Sequence, residues 1–231
     1  MRLSHLFNKR LFYTPLTEIT EERDLGITVT NNMKSSQQCL QAYNKANKVL
    51  GVINRSIVYK KKDVLVKLYK SLVRPHLEYC TAAWSPHYGK DKGLLERIQH
   101  RFTRMVPGLK HLPYEQRLIQ LRLWTLEERR VRADLIEVYK MVNGMSGIRF
   151  DSFFEYDPNG RTRGHSKKLR KKRFNTDLRK HFFTDRIINI WNALDDRTVT
   201  SATLNSFKNG LERLRNSRRM GLLWSSVAKD P

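Results

Sequence analysis

Acidic side chains are scarce in this chain. Aspartate and glutamate total 22 against 45 lysines and arginines, a formal charge of +23 over 231 residues. A field of that sign attracts polyanions and resists compaction until a counter-charge is bound. Cysteine is rarer still, with only Cys39 and Cys80, which excludes the disulfide scaffold of a small secreted domain. Long apolar runs are missing too. Nothing approaches the roughly 20 residues of a membrane span, and the first fifteen residues lack the apolar core of a signal peptide. These absences place the chain inside the cell, with nucleus and cytoplasm not distinguished and no membrane partner. No serine-centred elbow, glycine-rich phosphate loop or Cys-His signature is present, so no independent enzyme and no cofactor is implied.

What is present is a core-forming apolar pattern. Apolar residues make up 39% of the chain, with ten Phe, nine Tyr and four Trp, enough for one large domain or two small ones. Residues 25–30 alternate apolar and polar and predict a short strand that turns at Asn31-Asn32. Helical spacing dominates afterwards. Leu40, Tyr43, Ala46, Leu50, Ile53 and Ile57 share one face of a helix capped by Ser35 or Ser36. A second helix starts at Asp63, turns Val64, Leu65, Leu68, Tyr69 and Leu72 inward, and is broken or kinked at Pro75. A third runs from Asp91 to Pro107-Gly108. Pro113 opens a short helix. Thr125 and Glu128 have capping-box spacing ahead of a helix that stops at Gly144.

The fold class expected is therefore mainly α: a helical bundle with one short N-terminal strand region and a basic loop segment. Its divisions are a strand remnant over 1–34, a helical domain over 35–145, a basic loop or linker over 146–180, a helical pair over 181–215 and a basic tail over 216–231.

The chemistry concentrates in the basic segment. Arg161, Arg163, Lys167, Lys168, Arg170, Lys171, Lys172 and Arg173 fall within a few turns of chain. Such side chains neutralise phosphates and release condensed counterions, which gives a salt dependence of about −0.9 per phosphate contacted on a duplex. The run specifies a class of partner, RNA or DNA through its phosphate backbone, and carries no base specificity. A solvated loop and a nuclear localisation signal are the alternatives. Phe154 and Phe174 are candidates for base stacking, with Phe153 and Tyr156 beside them.

Two other clusters are weighed and set aside. Asp195-Asp196 is the sole adjacent aspartate pair, but Ala193 stands where a polymerase's paired aspartates have an aromatic, and a helix precedes it. His76, Cys80 and His87 are too few and wrongly spaced for a zinc site, so no metal is assigned.

One resemblance joins these features. The string from Tyr69 through Cys80, followed by Ala82-Ala83-Trp84-Ser85-Pro86, closely resembles jockey-like non-LTR (LINE) retrotransposon reverse transcriptases. So do Leu94–Gln99, Leu112–Leu118, Leu126–Arg130, Asp134–Lys140, Arg161–Gly164, Phe182-Phe183 and Trp191-Asn192. The likeness spans roughly residues 20 to 214, and its strength lies in the order of the strings. It implies that Asp24-Leu25-Gly26-Ile27 is the strand ending the polymerase palm and that the helices form the thumb and the region beyond. In that family such helices hold template RNA and the RNA–DNA hybrid. The palm's aromatic-x-Asp-Asp motif is missing, as is the cysteine–histidine knuckle of some LINE proteins. The expectation is a truncated, reverse-transcriptase-derived protein that binds nucleic-acid backbone without autonomous polymerase activity. A structural or non-functional remnant of a retrotransposon reading frame is the alternative.

Overall fold

The computed structural model describes residues 10–11, 14–15, 18–158 and 164–217. The chain is mainly helical, with short antiparallel strand pairs at its N-terminal end. Arg10–Leu11 (β1) pairs with Thr14–Pro15 (β2), and Glu21–Asp24 (β3) pairs with Ile27–Thr30 (β4). The strand expected over 25–30 is thus shortened. Leu25 and Gly26 take φ of 46° and 82°, the hand that a two-residue hairpin turn needs to match the twist of its strands. The Thr28 amide donates to the buried Gln38 side chain at 2.9 Å and fastens the hairpin to helix α1 (Ser36–Ser56).

Helix α1 buries Cys39, Ala42, Ala46, Leu50 and Ile53. That stripe sits slightly off the expected one, and Leu40 is exposed. Ser35 occupies the cap position without a capping hydrogen bond. Ser36 instead donates to Asp91 at 2.6 Å.

The next helical stretch departs more from expectation. It begins at Lys62 rather than at an Asp63 cap, and comprises α2 (Lys62–Leu68), a π turn (Tyr69–Val73) and α3 (Arg74–Glu78). Its buried residues are Leu65, Tyr69, Val73 and Leu77, a strict step of four. An α-helix would rotate such a stripe off the core, whereas the wider π turn keeps it facing inward. Val64 and Leu72, expected inside, are exposed. The π turn also explains why Pro75 does not break the helix. The Arg74 amide reaches back five residues to the Tyr69 carbonyl, so the ladder is already interrupted where proline would disrupt it. The break comes at Cys80, with φ of 52°, before α4 (Thr81–Trp84).

Helices α5 (Gly89–Met105) and α6 (Tyr114–Leu121) complete a first core with α1 to α4. Pro113 caps α6 rather than opening it. A polar chain runs through this core. The Tyr69 hydroxyl donates to Gln99 at 2.9 Å, and Gln99 donates to the Trp124 carbonyl at 2.9 Å. Tyr114 donates to Glu96, whose carboxylate also accepts the Leu126 amide at 3.0 Å. Desolvation pushes the Glu96 carboxyl up, while the amide terminus of the next helix favours its charge.

That helix, α7 (Leu126–Val142), joins the two halves. Thr125 and Glu128 form the expected capping box. Leu126 belongs to the first core, and Leu135, Val138, Tyr139 and Met141 to the second. The second core adds α9 (Phe183–Asn192), α10 (Asp196–Val199) and α11 (Leu204–Asn216), with α8 (Asp177–Lys180) ahead of them. Arg186 ties the halves together. It donates to both carboxylate oxygens of buried Asp134, at 2.9 and 3.1 Å, and to the Ala82 carbonyl at 3.1 Å.

Candidate nucleic-acid interface

The described part of the basic segment, 164–173, is irregular backbone packed onto the second core and pinned by one isolated bridge. Leu169 is fully buried and forms an antiparallel bridge with Tyr156. The Arg170 amide donates to the Glu155 carbonyl at 2.8 Å, and the Asp157 amide to the Lys168 carbonyl at 2.9 Å. On its other side the segment is held by the end of α9. Asn192 accepts the Leu169 amide and donates to the Leu169 carbonyl, both at 2.8 Å. The Trp191 indole donates to the Lys167 carbonyl at 2.8 Å. His165, nearly fully buried, donates Nε2–H to the Trp191 carbonyl at 3.0 Å. Burial holds the His165 pKa below its ordinary value. Gly164 starts the segment with φ of 123°, a conformation L side chains avoid.

This backbone sets where the expected cations go. Arg161 and Arg163 lie outside the described residues. Lys167 is half-buried and donates to Asn143 at 3.0 Å, and the Lys168 stem lies over Gly164. Arg170 and Lys172, two apart on an extended chain, both reach the Glu155 carboxylate. The hydrogen bond from Lys172, and then its charge, hold the Glu155 carboxyl below the usual range. Lys171 and Arg173 are exposed and have no partner among the described residues. The described cations of the run are therefore not equivalent: Arg170 and Lys172 share Glu155, while Lys171 and Arg173 make no ion pair among the described residues.

The stacking candidates divide as well. Phe154 is 3% exposed and sits edge-on to Phe183 at 5.9 Å, so its faces belong to the core and it offers no platform for a base. Its place in a Gly- and Pro-rich stretch hid this, because the stretch folds back onto α9. Phe174 is half-buried beside Arg173. Tyr156 is exposed and stacks on Phe150 at 4.5 Å.

A second basic surface was not expected from the sequence. Lys90, Arg97, Arg101 and Arg104 lie on one outer face of α5, at helical spacing. None forms an ion pair among the described residues. Arg101 donates to Asn47, and Arg97 lies over the Tyr43 ring at 5.8 Å. Its signal is a period of three to four residues between cations, which the denser contiguous run at 161–173 outweighs.

The set-aside clusters take structural places. Asp195 occupies the cap position of α10 without a side-chain capping hydrogen bond to the backbone; it accepts the Thr198 hydroxyl at 2.6 Å and faces Arg213 at 3.6 Å. Its neighbour Asp196 opens α10. Cys39 is buried, and burial pushes its thiol up to about 12. His76 and Cys80 do not join His87. Among the described residues His87 comes together with Asp177 and His181 instead. No helix among the described residues is long and apolar enough to cross a membrane. No protein-family model, curated protein or solved structure matches the chain.

Proposed function

We propose that this chain is a reverse-transcriptase-derived, mainly helical protein that binds RNA or DNA through phosphates and has no polymerase activity of its own. The observation that carries the reading is the irregular segment 164–173. It is clasped at Lys167 and Leu169 by Trp191 and Asn192, and beyond the clasp Lys171 and Arg173 are exposed with no ion pair among the described residues. A cation on a fixed backbone loses less freedom on meeting a phosphate than one on a loose loop. The ordered strings resembling jockey-like reverse transcriptases supply the rest, since in that family the corresponding helices lie along template and hybrid. The lack of an aromatic-x-Asp-Asp string, and the engagement of Asp195 by Thr198 and Arg213, support the non-catalytic reading.

The test is filter binding of the purified chain to an RNA–DNA hybrid across a salt series, with primer extension run in parallel. Binding that falls by roughly a thousandfold between about 50 and about 200 mM salt corresponds to about six phosphates contacted. Salt-insensitive or absent binding removes the interface. Extension of a primer overturns the non-catalytic part alone.

A further inference from the structure

We propose that His87, Asp177 and His181 form a site for a Zn2+-class transition metal that ties the first core to the second. His87 lies in the loop between α4 and α5, while Asp177 opens α8 and His181 follows it. One ligand atom from each lies within 4.8 Å of the other two. Asp177 and His181 are four residues apart, and their carboxylate and Nε2 are 3.4 Å from each other. The imidazoles of His87 and His181 stack at 4.2 Å with 7° between their planes.

Two observations point to a ligand rather than to a chance meeting of side chains. First, His87 Nε2 is buried and has no hydrogen-bond partner among the described residues, and a buried polar atom seldom stays unpaired. Second, two imidazoles and a carboxylate are a donor set that suits Zn2+ and its neighbours rather than Mg2+ or Ca2+. Of the cations around the site, Lys92 is held by Glu127 at 2.7 Å, and Arg186, which donates to the His181 carbonyl at 3.4 Å, is held by Asp134 at 2.9 Å. Beside the imidazoles lies a cavity of about 80 Å³, lined also by Ser85, Glu127 and Arg130. It has room for water as a fourth ligand. Tetrahedral bonds of about 2.0–2.2 Å bring the donors to roughly 3.3 Å apart, so binding requires the stacked rings to turn and close slightly.

The site explains what the sequence could not reveal. Asp177 and His181 are spaced for one face, but their third partner is far along the chain and on the other core. A metal held by both cores stabilises their junction in proportion to its occupancy.

The experiment uses the full chain without any affinity tag. Its melting temperature is followed during titration with zinc sulfate, and Co2+ serves as a visible probe of coordination. The expected result is a saturable rise at one equivalent, reversed by EDTA, with the d–d absorption of four-coordinate Co2+. Asp177→Asn changes a side chain that is 68% exposed, so it leaves the fold intact. It should weaken binding about tenfold or more, since even groups that only orient a ligand are worth about that. His87→Asn should do the same, and Cys80→Ser should change nothing. No melting shift with the intact chain, or a shift undiminished in Asp177→Asn and His87→Asn, overturns the site. Nucleic-acid binding is read separately, so failure here leaves that reading standing.

Discussion

The two cores of this protein solve one problem in different ways. The first is helix against helix, α1 against α5 and α5 against α6 and α7, with its polar groups gathered into one chain through Tyr69, Gln99, Tyr114 and Glu96. The second has fewer long helices and fills the gap with an irregular segment. Side chains do the work there that a neighbouring strand or helix turn would do elsewhere. Asn192 substitutes for a ladder partner by offering both an acceptor and a donor to Leu169. The difference teaches that irregular backbone can be as firmly placed as a helix if its amides and carbonyls are matched by buried partners.

That contrast can be broken most forcefully at Trp191. The side chain is fully buried and also holds the Lys167 carbonyl. Trp191→Ala should cost about 3–5 kcal/mol and loosen the second core while the first stays folded. Urea unfolding should then separate into two transitions, and hydrogen exchange should lose protection at 165–170 first. A single transition, with both cores lost together, would show that α7 makes them one cooperative unit. The first core's counterpart is Gln99, also fully buried. Gln99→Ala leaves the Tyr69 hydroxyl and the Trp124 carbonyl without partners, at about 2 kcal/mol. Its effect should fall on the first core.

How much of this was legible in sequence differs between the cores for the same reason. Helical stripes such as Ala46–Leu50–Ile53 and the Thr125–Glu128 box are local, and a period of 3.6 or a fixed offset reveals them. Pro75 misled because a local rule was applied where a π turn had changed the ladder upstream. The segment 146–180 misled more. Its Gly, Pro and basic residues describe a loop correctly, but nothing local says that Phe154 and Leu169 are core or that Asn192 clasps the segment. Asn192, Glu96 and Gln99 stood out only as part of a family resemblance. Their jobs are contacts across long stretches of chain, which no window of sequence displays. The exposed cations were legible as a class, but the acid that neutralises two of them, Glu155, was not.

A subtler break in the comparison comes from pH. His165 is buried where the irregular segment attaches to α9, and its Nδ1 has no partner among the described residues. Desolvation lowers its pKa from 6.5, with Lys168 acting the same way and the Trp191 carbonyl, Asp196 and Asp195 opposing. Above pH 6.5 the ring is neutral whether the chain is folded or not, and its contribution is complete. As pH falls from 6.5 through the lowered folded-state value, the unfolded chain takes up the proton first and stability is lost. The second core should therefore soften as pH falls below about 6.5, read as falling exchange protection at 165–170. His165→Gln keeps a donor for the Trp191 carbonyl and should flatten that dependence. A slope unchanged by the substitution would assign it to other groups.

The smallest effect on stability should come from the segment's exposed cations, and it bears most directly on which core meets nucleic acid. Lys171 and Arg173 are exposed and unpartnered among the described residues, so replacing both with Ala should shift stability by no more than about 0.5 kcal/mol. Removing one cation from a phosphate should make the salt slope shallower by about 0.9 on a duplex, so removing the pair should make it shallower by about 1.8. Replacing Arg97 and Arg101 on α5 provides the matched change on the first core. If the clasped segment is the main footprint, the segment pair should flatten the slope more than the α5 pair does. The reverse result would move the interface to the helical ridge. It would also mean that spacing along a helix, rather than density along the chain, was the informative charge pattern.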